Sequence, residues 1–331
     1  MSNIILHLEN IKKWFPIRRS LVQFLRRERS WVKAVDGISV QIREEEIFAL
    51  VGESGCGKTT TAKIVMKLIH PTEGKIFLQG KDVTFLDKRA IKEYRKNIQM
   101  VFQDPYASMN PRFKTRDVLE EPLMIHKVGG KRTQREQIIT TTLESVRLIP
   151  PQEFLSRFPH MLSGGQRQRV TTARTLVLKP RVIVADEPVS MIDLSTRAEI
   201  LAMMKNVQKK YGLSYLYITH DLSTARYFAD RIAVMYLGKI VELGKSEDVI
   251  DNPKHPYTKA LITAVCEPVS GRVKTIKELP IKGEIPSPSD IPQGCRFHPR
   301  CIYAIPECLS IEPTDRQVSN GHYAACHLLE L

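Results

Sequence analysis

Gly52-Glu53-Ser54-Gly55-Cys56-Gly57-Lys58-Thr59 satisfies the pattern G-x-x-x-x-G-K-[ST] without a gap. The chemistry this spacing serves is the binding of a polyphosphate. Glycines let the chain curl so that successive backbone N–H groups converge on an anion. A helix starting at the lysine turns the positive end of its dipole on the same anion. Lys58 can then reach the β- and γ-phosphate oxygens, and the hydroxyl of Thr59, followed by Thr60, can ligate Mg2+. The pattern also arises by chance, so its surroundings decide. Here an apolar run, IFALV, precedes it as a buried strand, and TAKIVMKLI follows as a helix closed by Pro71 and Gly74. A nucleotide site is expected.

Such a site needs a carboxylate at the end of another buried strand, and Arg181-Val182-Ile183-Val184-Ala185-Asp186-Glu187 provides two. Asp186 is expected to hold Mg2+ through water and Glu187 to polarise the attacking water. Alone, Asp-Glu after a strand would be an ordinary start to a helix; beside the phosphate loop it reads as catalytic. Leu162-Ser163-Gly164-Gly165-Gln166, followed by Arg167-Gln168-Arg169, places two glycines and a hydroxyl at a helix start. That makes a second phosphate-binding surface.

This last run resembles the signature sequence of ABC ATPases, and with the phosphate loop it makes the resemblance specific. In that family two ATPase subunits pair head to tail, each signature covering the other's γ-phosphate. The resemblance implies roles for further residues. Gln103 in MVFQDP resembles the glutamine that contacts Mg2+ and links ATP to the transmembrane subunits. Asp193, in Ser190-Met191-Ile192-Asp193, occupies the D-loop, where the usual form is Ser-Ala-Leu-Asp. His220 in LYITHD resembles the histidine that contacts the γ-phosphate, although a lone histidine after a strand is more often structural. Phe15 aligns with the aromatic that stacks on adenine, with Trp14 the neighbouring alternative.

A narrower resemblance covers almost the whole chain. VKAVDGIS, FQDPYASMNPR, ADEPVS, HPYTKAL and the ending GEIPSPSDIPQGCRFHPRC are similar to the oligopeptide/dipeptide permease ATPases, and DPYASMNPR, GGQRQRV and DEPVS to their F type. The class also contains importers of oligosaccharides such as β-glucosides, towards which SMID with STRAEIL leans; peptide is the preferred cargo. The resemblance implies an importer ATPase with ATP and Mg2+, working with a D-type second ATPase, two transmembrane permease subunits and, indirectly, an extracytoplasmic solute-binding protein. It places the chain peripherally on the cytoplasmic face of the membrane.

The elements that must carry these residues follow from periodicity. AVDGISVQI, around Asp36-Gly37, and IFALV read as strand, turn, strand, and KIFLQGKDV as two strands. From about Asp104 to Leu162 the spacing is mostly helical. RVIVAD and LSYLYITH are buried strands flanking the helix AEILAMMKNVQKKYG, and RIAVMYLGKIVELG folds into a hairpin at Gly238-Lys239. Alternation of strand and helix predicts an α/β fold with a mostly parallel sheet, interrupted by a helical insertion. As the resemblance has it, this is a P-loop NTPase core over 1–250, with an antiparallel β subdomain and a helical subdomain at about 104–165. A small loop-rich domain would fill 251–331, opening with a helix at NPKHPYTKAL and continuing through a Pro/Gly-rich stretch.

Cys56 and Cys266 stand alone, whereas Cys295, Cys301, Cys308 and Cys326 crowd the end of the chain. Disulfides are not expected in a cytosolic chain. Four thiolates can hold Zn2+ or an iron–sulfur cluster, and the absence of a C-x2-C pair weakens the zinc-ribbon reading. The transporter class resembled implies a [4Fe-4S] cluster. Four unligated thiols, and ligation by His298, His322 or His327, remain as alternatives.

Composition narrows the function classes. The 331 residues are 42% hydrophobic and 26% charged. No run approaches the ~18 apolar residues of a membrane-spanning helix. The first residues lack the features of a signal peptide. A cytosolic protein is expected, with any membrane role supplied by partners. The net charge of +14 is scattered, so no nucleic-acid partner is expected. One cluster, Arg18, Arg19, Arg26, Arg27, Arg29 and Lys33 among Leu21, Val22, Phe24 and Leu25, is read as a solvated insertion, with a basic amphipathic element near lipid as the alternative. An ABC ATPase of nucleic-acid or ribosome metabolism is the competing class. The interval between phosphate loop and signature shows no sustained heptads, as DNA-repair relatives would require, and there is one cassette where ribosome-associated relatives usually carry two. A regulatory subunit without activity is disfavoured because every nucleotide-contacting position is intact.

Overall fold

The computed structural model describes residues 3–17, 31–265 and 281–329. The arginines at 18–29, Cys266 and the first part of the Pro/Gly-rich stretch lie outside the described residues. The chain divides into two compact units, one built mainly from Phe85–Ile218 and the other from Leu6–Gln41, Phe48–Thr84 and the chain from Thr219 onward.

In chain order, β1 (Ile4–Pro16) and β2 (Trp31–Arg43) are long strands, followed by β3 (Ile47–Val51), α1 (Lys58–Val65), β4 (Glu73–Leu78) and β5 (Lys81–Asp82). A four-stranded sheet has the order β2-β1-β4-β5, with β4 antiparallel to β1 and β5. β2 continues through Asp36-Gly37, where Gly37 has φ 87°, and the chain turns at Glu44-Glu45, with Glu45 at φ 58°, between the two runs read as strands. α1 stops earlier than its apolar pattern suggests. Lys67 adopts a left-handed φ of 55°, and its ammonium leaves solvent to donate to the carbonyl of Thr84 at 3.1 Å. Burial lowers that ammonium to about 8.

The Phe85–Ile218 unit begins with α2 (Lys88–Asn97), capped by Asp87, whose carboxylate accepts the N–H groups of Arg89 and Ala90 at 3.0 and 2.7 Å. β6 (Ile98–Val101) follows, then α3 (Thr115–Ile125), α4 (Arg132–Ser145), α5 (Pro151–Leu155), α6 (Gly164–Leu176), β7 (Val182–Asp186), α7 (Leu194–Tyr211) and β8 (Ser214–Thr219). β6, β7 and β8 run parallel, with Met100 opposite Val184 and Val184 opposite Leu216. Every residue of β7 and β8 is buried, as continuous apolar runs covered on both faces must be. The helical stretch expected from residue 104 starts only at Thr115. Asp104 and Asn110 accept the N–H groups of Tyr106 and Arg112 at 2.7 and 3.0 Å, local turns that compete with helix.

The other unit resumes with α8 (Leu222–Phe228), β9 (Arg231–Tyr236), β10 (Lys239–Lys245), α9 (Ser246–Asp251) and α10 (Pro256–Val265), and ends with α11 (Glu307–Ser310), β11 (Arg316–Ser319) and β12 (His322–Ala324). β3 lies parallel to β9, with Ala49 opposite Ile232. The β9–β10 hairpin turns at Leu237-Gly238, both left-handed at φ 40° and 84°, as a tight hairpin demands. β12 pairs antiparallel with β10, Glu242 opposite Ala324, and β11 with β12. The end of the chain thus extends the hairpin's sheet. Buried Glu242 is fully satisfied: it accepts the N–H groups of Lys254 and His255 at 2.8 and 2.9 Å and meets His322 Nε2 at 2.8 Å.

Candidate nucleotide site

β3 is wholly buried and delivers the loop at Gly52. The loop's shape is enforced by its neighbours. Gly57 has φ 113°, and a methyl group there would collide with the carbonyl of Ala34; one on Gly52 would meet the carbonyl of Met235. The carbonyl of Cys56 accepts the N–H of Gly238 at 2.9 Å. Burial pushes the Cys56 thiol up against the opposing pull of Lys58, so it is a packing residue rather than a thiolate. Lys58, 5% exposed, folds its ammonium back on the loop, donating to the carbonyls of Gly52 and Glu53 at 2.7 and 2.9 Å. Ser54, Gly55 and Thr59 form the exposed edge, with Thr60 half-buried behind them.

The two aromatic candidates differ. Trp14 donates its indole N–H to Asp36 Oδ1 at 2.9 Å, and the Lys33 ammonium lies 5.0 Å from its ring. Phe15 is exposed, with the Lys13 ammonium over its ring at 5.2 Å. Burial would raise the Asp36 carboxyl, but the hydrogen bond and charge of Arg296, with help from Trp14 and Lys33, hold it below its ordinary value.

In the other unit Asp186 ends β7, 4% exposed. Glu187 takes a left-handed φ of 45°; its N–H donates to the carbonyl of Ile218 at 2.8 Å, and its carbonyl accepts the Ser190 hydroxyl at 3.0 Å. This bend turns the carboxylate out of the strand, where Oε2 accepts Gln103 Nε2 at 3.1 Å. Asp193 precedes α7 without capping it, and Arg197 donates to the carbonyls of Ile192 and Ser190 instead. Ser163 caps α6 in a reciprocal box: its hydroxyl accepts the Gln166 N–H at 3.2 Å, and Gln166 Oε1 accepts the Ser163 N–H at 3.1 Å. The Arg167 guanidinium donates to the carbonyls of Pro159 and Leu162 and lies 3.6 Å from the Tyr106 ring centroid. In the unit that carries the phosphate loop, His220 follows β8 and is exposed.

Cys295, Cys301, Cys308 and Cys326 are all buried and unpaired. Burial pushes the Cys295 thiol up to about 11 against a backbone hydrogen bond from Phe297, and the charges of Cys308, Cys326 and Cys301 add to the rise. Their donor chemistry suits iron. Among the described residues, no three of His, Cys, Asp and Glu stand as a ready set for a single metal ion. Each of the three histidines considered as ligands has one ring nitrogen hydrogen-bonded: His298 Nδ1 to the Cys295 carbonyl, His327 Nε2 to the Ile311 carbonyl and His322 Nε2 to Glu242.

Sequence reasoning did not single out Asp36, Tyr257, Arg296 or Arg300 as supports of the site. Their signal was faint, since each stands in a quoted run (VKAVDGIS, HPYTKAL, CRFHPRC) with nothing local to mark its contacts.

The profile of the family described as ABC transporter matches residues 35–190, and that of the oligopeptide/dipeptide transporter C-terminal region matches 241–308. The oligopeptide transport ATP-binding protein AppF of Bacillus subtilis is 45% identical over 327 residues, covering 98% of this chain and 97% of that protein. The chain belongs to the ABC transporter ATP-binding subunits of the oligopeptide/dipeptide family. This ABC ATPase is also 42% identical to the dipeptide transport ATP-binding protein DppF of Haemophilus influenzae, over 97% of this chain and 96% of that one. Among solved structures it is similar to the cassette MJ0796 in a dimeric post-hydrolysis state with ADP and Pi, at TM-score 0.62 and 28% identity, covering 73% of this chain and 98% of that one. The α/β P-loop fold and ATP hydrolysis follow from that membership. Among the described residues no helix is long and apolar enough to cross a membrane.

Proposed function

We propose that this ABC ATPase powers uptake of oligopeptides or dipeptides, as the F-type half of a pair with a D-type ATPase, docked on two permease subunits at the cytoplasmic face of the membrane. One observation carries the reading: similarity to the peptide-transport subunits runs almost end to end, including the C-terminal region beyond the catalytic cassette. In this mechanism the N–H groups of Gly55 and Gly57–Thr59 and the Lys58 ammonium bind the β- and γ-phosphates, while Thr59 and Asp186 would hold Mg2+, which would supply positive charge to those oxygens. Glu187 polarises the attacking water, and its hydrogen bond from Gln103 ties that carboxylate to the loop that senses the permeases. His220 and Asp193 act at the γ-phosphate and the subunit interface. Ser163 and Gly165 present their donors to the partner's nucleotide, and Phe15 stacks on adenine.

The four buried cysteines are proposed to hold a [4Fe-4S] cluster. The support is chemical: four buried thiols gathered in one loop-rich segment are the donors that such a cluster takes. Bound there, it would order the loop-rich segment. Anaerobic protein is expected to contain about four irons per chain; one zinc and no iron would replace the cluster by a zinc site of four thiolates.

The cargo test is uptake by vesicles carrying both ATPases and both permeases, with the cognate binding protein. Labelled peptides should enter in an ATP-dependent manner, and Glu187→Gln should slow turnover about a hundredfold or more while MgATP still binds. Uptake of β-glucoside oligosaccharides with no peptide uptake would move the protein to the sugar branch.

A further inference from the structure

The cysteine-bearing segment reaches the phosphate loop through one side chain. Arg300, 6% exposed at its side chain, sits in the turn between Cys295 and Cys301. Its two terminal nitrogens donate to the two carboxylate oxygens of Glu53 at 2.7 and 3.1 Å. This is a two-pronged, charge-assisted contact of the kind arginine makes best. Glu53 is the second residue of the loop, and it is held at every polar group. Its N–H donates to the Tyr257 hydroxyl at 2.9 Å, its carbonyl accepts Lys58 at 2.9 Å, and its carboxylate is taken by Arg300. The guanidinium lies beside two aromatic rings that touch each other, 5.9 Å from Tyr236 and 6.0 Å from Phe297.

A carboxylate inside a loop that receives a polyphosphate is an electrostatic liability, because like charges at such range repel strongly where water is partly excluded. Arg300 cancels that charge and holds the carboxylate by both oxygens. Arg296, four residues earlier, repeats the device by gripping the Asp36 carboxylate and the Leu237 carbonyl, and Asp36 in turn holds Trp14. We propose that Arg300 is a positioning residue for nucleotide binding: by neutralising Glu53 it makes the affinity for MgATP depend on the C-terminal segment. This rests on the reading of residues 52–59 as the ATP phosphate site.

The test is the affinity of the full-length chain for a fluorescent ATP analogue with Mg2+, with melting temperature recorded on the same samples. Arg300→Gln is expected to raise Kd on the order of tenfold, and Arg300→Lys, which keeps the charge but loses the fork, by less. Adding Glu53→Gln to Arg300→Gln should bring Kd back to within about twofold of the parent, since no charge is left to neutralise. A merely structural arginine would give a double variant at least as weak as the single one, and that result overturns the proposal. So does an unchanged Kd in Arg300→Gln. If Arg300→Gln does not fold, Arg300→Lys reads the same coupling: its weakened binding must vanish when Glu53→Gln is added, and equal weakening in both backgrounds refutes the role. Lys58→Ala is the control on the underlying site. If it binds MgATP as the parent does, the phosphate-site reading falls and this proposal falls with it.

Discussion

The phosphate loop and the signature run both offer backbone N–H groups at the start of a helix, yet their surroundings are opposite. Two of the three glycines of the phosphate loop are fenced by backbone, Gly57 by the carbonyl of Ala34 and Gly52 by that of Met235, while Gly55 is open. Its lysine is already tied to two loop carbonyls, and its second residue is gripped at three groups. The signature has a capping box, and Arg167 holds the carbonyl of Leu162 behind it. Apart from its own helix backbone and chain neighbours, no described atom lies within 4 Å of a methyl group built on Gly164, and only the Thr196 methyl, at 2.8 Å, approaches one on Gly165. A phosphate cradle that must discriminate geometry is shaped by its own subunit in advance. The open signature face suits its proposed role at a nucleotide held by another subunit, where pairing would complete the geometry.

The comparison breaks most readily at Gly57. Gly57→Ala is expected to cost about 3 kcal/mol or more of folding stability, through left-handed strain plus the collision with Ala34, and to remove measurable MgATP binding. Denaturant unfolding with parallel nucleotide titration checks both. A stable, binding-competent variant would show that the fence is not what shapes the loop.

A smaller effect comes from acid. His255 Nδ1 accepts the N–H of Tyr257, whose hydroxyl supports Glu53. Burial, with Lys259 adding to it and Glu242 opposing, lowers His255 from 6.5 to about 4. The unfolded chain therefore binds more protons than the folded one in that window. The stability from this group is intact above about pH 6.5 and falls as pH drops towards 4, by roughly 1 kcal/mol per pH unit. Melting temperatures across that range should show the slope, and His255→Asn, whose side-chain oxygen can replace Nδ1 as acceptor, should flatten it. An identical slope in the variant would assign the acid sensitivity elsewhere.

The smallest stability change is expected at the signature. Gly165→Ala meets one movable methyl and gains helix propensity, so stability should shift by less than about 1 kcal/mol. On the proposed role of Gly165 at the partner's nucleotide, turnover of the assembled pair should nonetheless drop by about tenfold or more, because the added methyl would stand between that face and the phosphate. Normal turnover would separate this face from the reaction.

Much of this was legible in the residues because it is local. Eight consecutive residues specify the phosphate loop, apolar runs specify β3, β7 and β8, and a glycine in the turn specifies the β9–β10 hairpin. A polyphosphate cradle is made from contiguous backbone, so its sequence is contiguous too. β1, α2 and β6 were less visible. β1 has an irregular burial pattern, and α2 is polar along nearly its whole length, with only Tyr94 buried. What the tertiary structure alone decided are the contacts between distant residues: Gln103 with Glu187 across 84 positions, Arg300 with Glu53 across 247, and β12 closing on β10. An arginine in a loop carries no local mark of the carboxylate it will find. That pairing emerges only when folding brings the two charges together and removes them from water, where leaving either alone would cost more than joining them.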